Sequence, residues 1–472
     1  MVYINMKKFN KDKYLKKLKF NKYKRHLYIG IPCLLVLLIG IYFTYSKFSV
    51  SKDTEVVRTT VGNFISGDAV IGAYIDGEYS KSIPSKNDGY VVDKIVCDND
   101  ASASWDNDAW GIALTNMTKR TKCNIYFETK RTPLTEVITT AMNNNPSMFA
   151  TDDPGKNVRY IGKDPSNYVY FNCSDYNNPT ADACELWRII GVFNNVTKGD
   201  GSKENLVKII RADPLGSYSW DYKKRGVGTS TADYTGDYGS NDWSDSQLMM
   251  MLNPTSYLKS GYTNSSDIIL DTNGQEIYSK MGSYYNGTKG CKPAEIANGA
   301  SFSCTEVDFT STGLKNDITR NAIEEVVWNL GGTDEDLTAS MFYTAERGTI
   351  VYAGHATTWT GKIGLMYPSD YGYATSGGTT KDRAACLAEE LFMWDHSHFS
   401  DCIGNDYLYN SRWTLTPVSD NAAGVLYMTV PGDDYINGAA AVDGVRTVLY
   451  LKSSISVSSG NGTSSSPYKL EM

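Results

Sequence analysis

Three groups of residues have the types and spacing that chemistry needs. The first is cysteine. Of nine in the chain, Cys33 lies in an apolar run and serves there as a small apolar residue. The other eight fall into sequence-local couples: Cys97 with Cys123, Cys173 with Cys184, Cys291 with Cys304, and Cys386 with Cys402. An even set of this kind in an exported segment points to disulfides. Zinc is the alternative, but no C-x2-C occurs and the chain has only four histidines. Neighbour pairing needs the fewest assumptions, and each closed loop would stabilise the fold by ~3 kcal/mol in the chain-entropy model. The second group is WDHSHF, where Asp395, His396 and His398 could ligate a metal. No third ligand type stands near, so a solvent-facing helix end is the preferred reading and no metal is expected. The third is GGTDEDLT, whose Asp334, Glu335 and Asp336 lack calcium-loop spacing and read as an acidic turn.

No G-x-S-x-G, P-loop or G-x-G-x-x-G stands in a strand–helix context, so hydrolase, nucleotide and dinucleotide chemistry have no support. No catalytic residue and no cofactor is assigned. The expectation is a binding protein, not an enzyme.

The elements that must position such residues start with a membrane signal. Residues 27–45, LYIGIPCLLVLLIGIYFTY, carry no charge, and at ~1.5 Å per residue they are long enough to cross a hydrocarbon core of ~30 Å. Ten lysines and arginines precede the run against Asp12 alone, which places residues 1–26 in the cytoplasm and everything after the run outside. A cleaved signal peptide is the rival, and TYSKFS is a poor cleavage site for it. The first 47 residues hold 11 of the 46 basic and one of the 53 acidic residues, leaving 35 against 52, a net of −17. Such a surface repels polyanions, so nucleic acid is not an expected partner. The bilayer, through residues 27–45, is.

Residues 55–127 read as a small all-β domain of short strand-like runs, GYVVDKIVC, WGIALTN and KCNIYFE, parted by Asp/Asn/Ser clusters. Residues 128–150 read as a linker. From 151 to 455, strands come first (NYVYF, LWRIIGVF, LVKIIRA) and last (RWTLTP, GVLYMTV, GVRTVLYL), with helices between them. SDSQLMMMLNP opens on a Ser244-x-x-Gln247 capping box; DITRNAIEEVVWNLGG places Ala322, Ile323, Val326, Val327 and Leu330 at helical spacing; RAACLAEELFMW is a third helix. That order argues α+β. Residues 456–472 are Gly/Ser-rich and read as a flexible tail.

The strand WRIIGVF, the capped segment from Trp243 to Asn253, the KIGLMYPSDYGYA run taken as a strand, the late WTLTP and the final GVR strand together resemble bacterial extracellular C-type-lectin-like domains. That group includes the formylglycine-generating, sulfatase-modifying fold. The resemblance, over about residues 160–455, implies that GVRTVLYL closes the domain against the strands around YVYF and WRIIGVF. It also implies that loops between the late strands meet the ligand, which nominates Trp413, Asp433, Asp434, Tyr435 and Asn437. The calcium-lectin triplets E-P-N and Q-P-D are missing, and Cys386 and Cys402 look like a staple. The expected function is therefore a single-pass bacterial surface protein whose ectodomain binds an unidentified glycan or protein. The alternatives are an envelope enzyme of the formylglycine-generating type and a structural envelope-assembly protein.

Overall fold

The Glu185–Thr197 strand, ELWRIIGVFNNVT, shows how sequence sets this architecture. Its central residues are buried on both faces, which is why an unbroken apolar run replaces the alternation of a half-exposed strand. Gly191 interrupts the run because the Val158–Tyr160 strand crosses there; a Cβ would lie 2.2 Å from the Val158 carbonyl oxygen.

A computed structural model describes residues 57–59, 69–116, 119–222, 239–257, 263–265, 268–270, 276–277, 281–292, 305–378, 382–395, 402, 407–408, 413–428 and 434–472. The chain divides into two compact units, Met1–Lys130 and Arg131–Met472.

In the first unit, Glu78–Ser80, Ala69–Ile75, Thr121–Thr129 and Tyr90–Cys97 form a four-stranded sheet in that order, and Val57–Thr59, Gly111–Thr115 and Ser102–Asp106 form a three-stranded one. Ile112, Leu114, Ile125 and Phe127 are buried, with Trp105 meeting Phe127 edge to face at 5.4 Å. Cys97 and Cys123 face each other across adjacent strands and are bonded.

The second unit is built on a ten-stranded sheet. Its path runs Ile363–Gly364, Val448–Leu451, Lys203–Arg211, Glu185–Thr197, Tyr168–Phe171, Tyr468–Glu471, Ser456–Ser459, Thr132–Pro133. Trp187, Trp220, Trp243, Trp328, Trp394 and Trp413 are all fully buried in its core. Cys173–Cys184 and Cys386–Cys402 are bonded; Cys291 lies in the Lys289–Lys292 strand and Cys304 falls outside the described residues. Disulfides persist in oxidising compartments.

Several expectations are corrected. The class is predominantly β, 40% strand against 19% helix, where α+β was expected. Among the described residues no helix is long and apolar enough to cross a membrane, so the expected membrane helix is not shown; residues 27–45 lie outside the described set. The 128–150 linker is instead the start of the second unit: Leu134–Asn144 is an 11-residue helix that buries Leu134 and Ile138, and Leu134 N donates to Ile455 O at 2.9 Å.

The helix expected across residues 317–330 stops at Ala322, and Val326–Asn329 is a strand paired with Thr358–Gly361. Its β-branched pair Val326–Val327 and Trp328 suit a pleated, buried surface better than a helix. Gly331 follows for its lack of a side chain: a Cβ there would lie 2.2 Å from Ala345 O. KIGLMYPSDYGYA is a two-residue strand followed by the Pro368–Ala374 helix, with Pro368 at the first turn, where its missing N–H costs nothing.

GVRTVLYL splits into Val442–Val445 and Val448–Leu451, and the latter pairs with Lys203–Arg211 and Ile363–Gly364, not with the strands around YVYF and WRIIGVF. YVYF lies between Glu185–Thr197, antiparallel to it, and Tyr468–Glu471, parallel to it, with Tyr468 and Leu470 buried. The expected tail is thus a central strand of the sheet.

Candidate functional site

The Glu185–Thr197 strand carries two asparagines, Asn194 and Asn195, in a stretch where the register with Lys203–Arg211 slips between Phe193 and Val196. Asparagine is poor in strands and tolerates a left-handed backbone, and Asn195 adopts φ 53°. Bulges of this kind re-aim side chains beside sites. Here they face Val326–Asn329, joined by a bridge between Lys198 and Val326. The C-terminal end of the Ala339–Glu346 helix brings in Tyr343 and Arg347.

These elements enclose a cavity of about 330 Å³. Phe193, Trp328, Tyr367 and Tyr450, each nearly buried, line it together with the half-buried Tyr343. Polar groups converge on the same space: Asn157, Asn194, Asn195, Thr197, Asn329 and Arg347. Some are spent on the framework. Asn157 Oδ1 accepts from Asn194 N at 2.8 Å, and Asn194 Nδ2 donates to Lys156 O at 2.7 Å. The Tyr367 hydroxyl donates to Asn329 O at 2.9 Å and accepts from Asn329 N at 3.1 Å. Among the described residues, the side chains of Asn195, Thr197 and Asn329 have no hydrogen-bond partner.

Beneath the rings lies a chain of buried charges. The Lys208 ammonium, fully buried, sits 4.6 Å from the Tyr367 ring centre and 5.1 to 5.8 Å from those of Phe193, Tyr450 and Trp328, and is bound to Asp370 Oδ2. Asp370 Oδ1 accepts from Arg159 Nη1 at 2.9 Å, and Arg159 Nε donates to Asp153 at 2.5 Å. Burial alone would raise the Asp370 carboxyl, but Lys208 and Arg159 hold it at about 2. Burial pulls Lys208 down to about 8 against the opposing pull of Asp370. Glu346, on the final turn of its helix, accepts from Ser369 N at 2.9 Å and Ser369 Oγ at 2.5 Å; burial pushes it up to about 7 although Arg347 and Ser369 oppose the rise.

The residues nominated from sequence lie elsewhere. Trp413 is buried at 1% exposure, its Nε1 donating to Tyr218 O at 2.9 Å. Asp434–Gly438 is a strand paired with Gly424–Met428, not a loop. On it Tyr435 is 53% exposed, and the half-buried Asn437 turns its Oδ1 to Gly438 N at 2.9 Å. Asp433, His396 and His398 fall outside the described residues, as does the side chain of Asp434. Tyr435 borders a smaller cavity, about 220 Å³, with Asp334, Glu335, Asp336 and Phe392. The structure thus brings Tyr435 to the acidic turn and places Trp413 on the same three-stranded sheet, one strand away, with Tyr427 in register between them. The 330 Å³ cavity was missed by sequence reasoning. Its signals were polar residues where the pattern wants apolar ones: Asn194-Asn195 ending an apolar strand, and Asn329 after Trp328.

Comparison with protein-family models, with curated proteins and with solved structures finds no match. Nothing there identifies a C-type-lectin-like or formylglycine-generating fold.

Proposed function

We propose that this chain is an exported binding protein, held at a cell surface through residues 27–45, whose second unit takes a small hydroxylated ring, the unit of a glycan, in the 330 Å³ cavity. The observation that carries the reading is the lining itself. A ring floor with unspent amide and hydroxyl groups at its edge suits a pyranose, which has C–H faces and hydroxyl edges. The charges below the floor are committed to one another: Lys208 to Asp370, Arg159 to Asp370 and Asp153. A fully buried lysine so held has no path to a substrate, which favours binding over catalysis. The Cys386–Cys402 bond leaves no thiol there for oxidative chemistry.

The test is saturation-transfer NMR on the full-length protein in detergent with a panel of monosaccharides. Transfer to at least one sugar, lost in Asn329→Leu, supports the reading. A panel with no transfer to the wild-type protein overturns it.

A further inference from the structure

We infer that the ligand of this cavity carries one carboxylate, taken by Arg347, so that the preferred class is an acidic sugar such as a uronic acid. The inference rests on the cavity being the ligand site and adds the ligand's charge.

Among the described residues, Arg347 is the one charged side chain lining the cavity, and no Asp or Glu lines it. Its guanidinium centre lies 3.4 Å over the Tyr343 ring, which fixes the plane of the fork. Nη1 is spent, donating to Tyr343 O and Glu346 Oε2, each at 3.0 Å. Among the described residues, Nε and Nη2 have no acceptor. A guanidinium with free donors in a fixed plane matches a carboxylate's two oxygens.

The opposing charge is incomplete. Glu346 is wholly buried behind the arginine, whose own side chain is 25% exposed toward the cavity. Removal of that carboxylate from water favours its neutral form. Glu346 therefore offsets the Arg347 charge only in part, and positive charge is left facing solvent. Lys208 and Arg159 add none, since Asp370 and Asp153 balance them. The site therefore carries at most one net positive charge, which fits a monoanion better than a phosphate. The ectodomain around it is acidic, so an anion that enters does so against the general field. A peptide C-terminus also offers a carboxylate, but Asn195, Thr197 and Asn329 present side-chain donors and acceptors suited to vicinal hydroxyls.

The experiment is titration calorimetry of the full-length protein in detergent with methyl β-glucuronide, methyl β-glucoside and the methyl ester of the glucuronide. The expected result is at least tenfold tighter binding of the glucuronide than of the other two, with the preference abolished in Arg347→Gln/Glu346→Gln, a pair that leaves no buried unpaired carboxylate. Equal affinities in the wild-type protein overturn the inference while leaving the glycan reading intact. No binding of any of the three overturns both. An acetylated dipeptide with a free carboxylate binding more tightly than the glucuronide overturns the sugar class.

Discussion

Replacing Glu346 with glutamine isolates the effect of one buried carboxylate. Glu346 is fully buried and has an ordinary value of 4.5, which burial lifts to about 7 despite Arg347 and Ser369. The folded protein therefore holds a proton that the unfolded chain releases above pH 4.5. Stability from this group is fully present below pH 4.5, falls between 4.5 and 7, and is lost above 7. The interval is about 2.5 pH units at ~1.4 kcal/mol each, a loss of about 3 kcal/mol. Two other charged groups face Glu346: Arg347 beside it and Asp370 on the Pro368–Ala374 helix. Arg347 stays cationic, and Asp370, held at about 2, stays ionised across this window. Lys208, at about 8, titrates above it. Glutamine keeps an acceptor for Ser369 and cannot titrate. Urea unfolding at pH 4.5, 6 and 7.5 should show wild type and Glu346→Gln close together at the acid end. By pH 7.5 the variant should be the more stable, by up to about 3 kcal/mol less the lost pairing with Arg347. Parallel stability curves across that range would refute the reasoning, since they would put Glu346 at its ordinary value.

Other perturbations separate framework from site. Lys208→Met leaves Asp370 buried with Arg159 as its remaining cation and should cost ~3–5 kcal/mol in denaturant unfolding. Adding Asp370→Asn should recover part of that, and a single-variant cost below about 1 kcal/mol would show the pair to be dispensable. Truncation after Gly460 removes Tyr468–Glu471 from the middle of the ten-stranded sheet; the second unit should lose cooperative thermal unfolding, whereas a Tm near wild type would mean the strand contributes little. Cys386→Ser/Cys402→Ser opens a loop of sequence separation 16 and should cost about 3 kcal/mol, while an unchanged urea midpoint would show the loop to be held by packing.

What was legible in the sequence was what local physics determines. Three neighbour-paired disulfides, the small β domain and the buried Gln247–Leu252 helix follow from spacing and periodicity. Even there the cap moved: Ser246, not Ser244, accepts from Met249 N, and Asp242 takes Ser244 N. The failures were tertiary. Ala322, Ile323, Val326 and Val327 have helical spacing, but a strand partner at Thr358–Gly361 decided the outcome for the last two. The C-terminal segment is Gly/Ser-rich, yet Tyr468 and Leu470 alternate correctly for a half-buried strand, and composition hid them. The cavity was illegible because it joins residues from 157 to 450 through register shifts and a left-handed Asn195. The resemblance pointed to Trp413, whose ring the fold uses as core.

The most direct test of the central claim is a co-crystal structure of the protein with methyl β-glucuronide. The account predicts the sugar on the ring floor, its carboxylate on Arg347 Nε and Nη2 and its hydroxyls on Asn329, Thr197 or Asn195. A sugar ordered elsewhere, with this cavity empty, would contradict it.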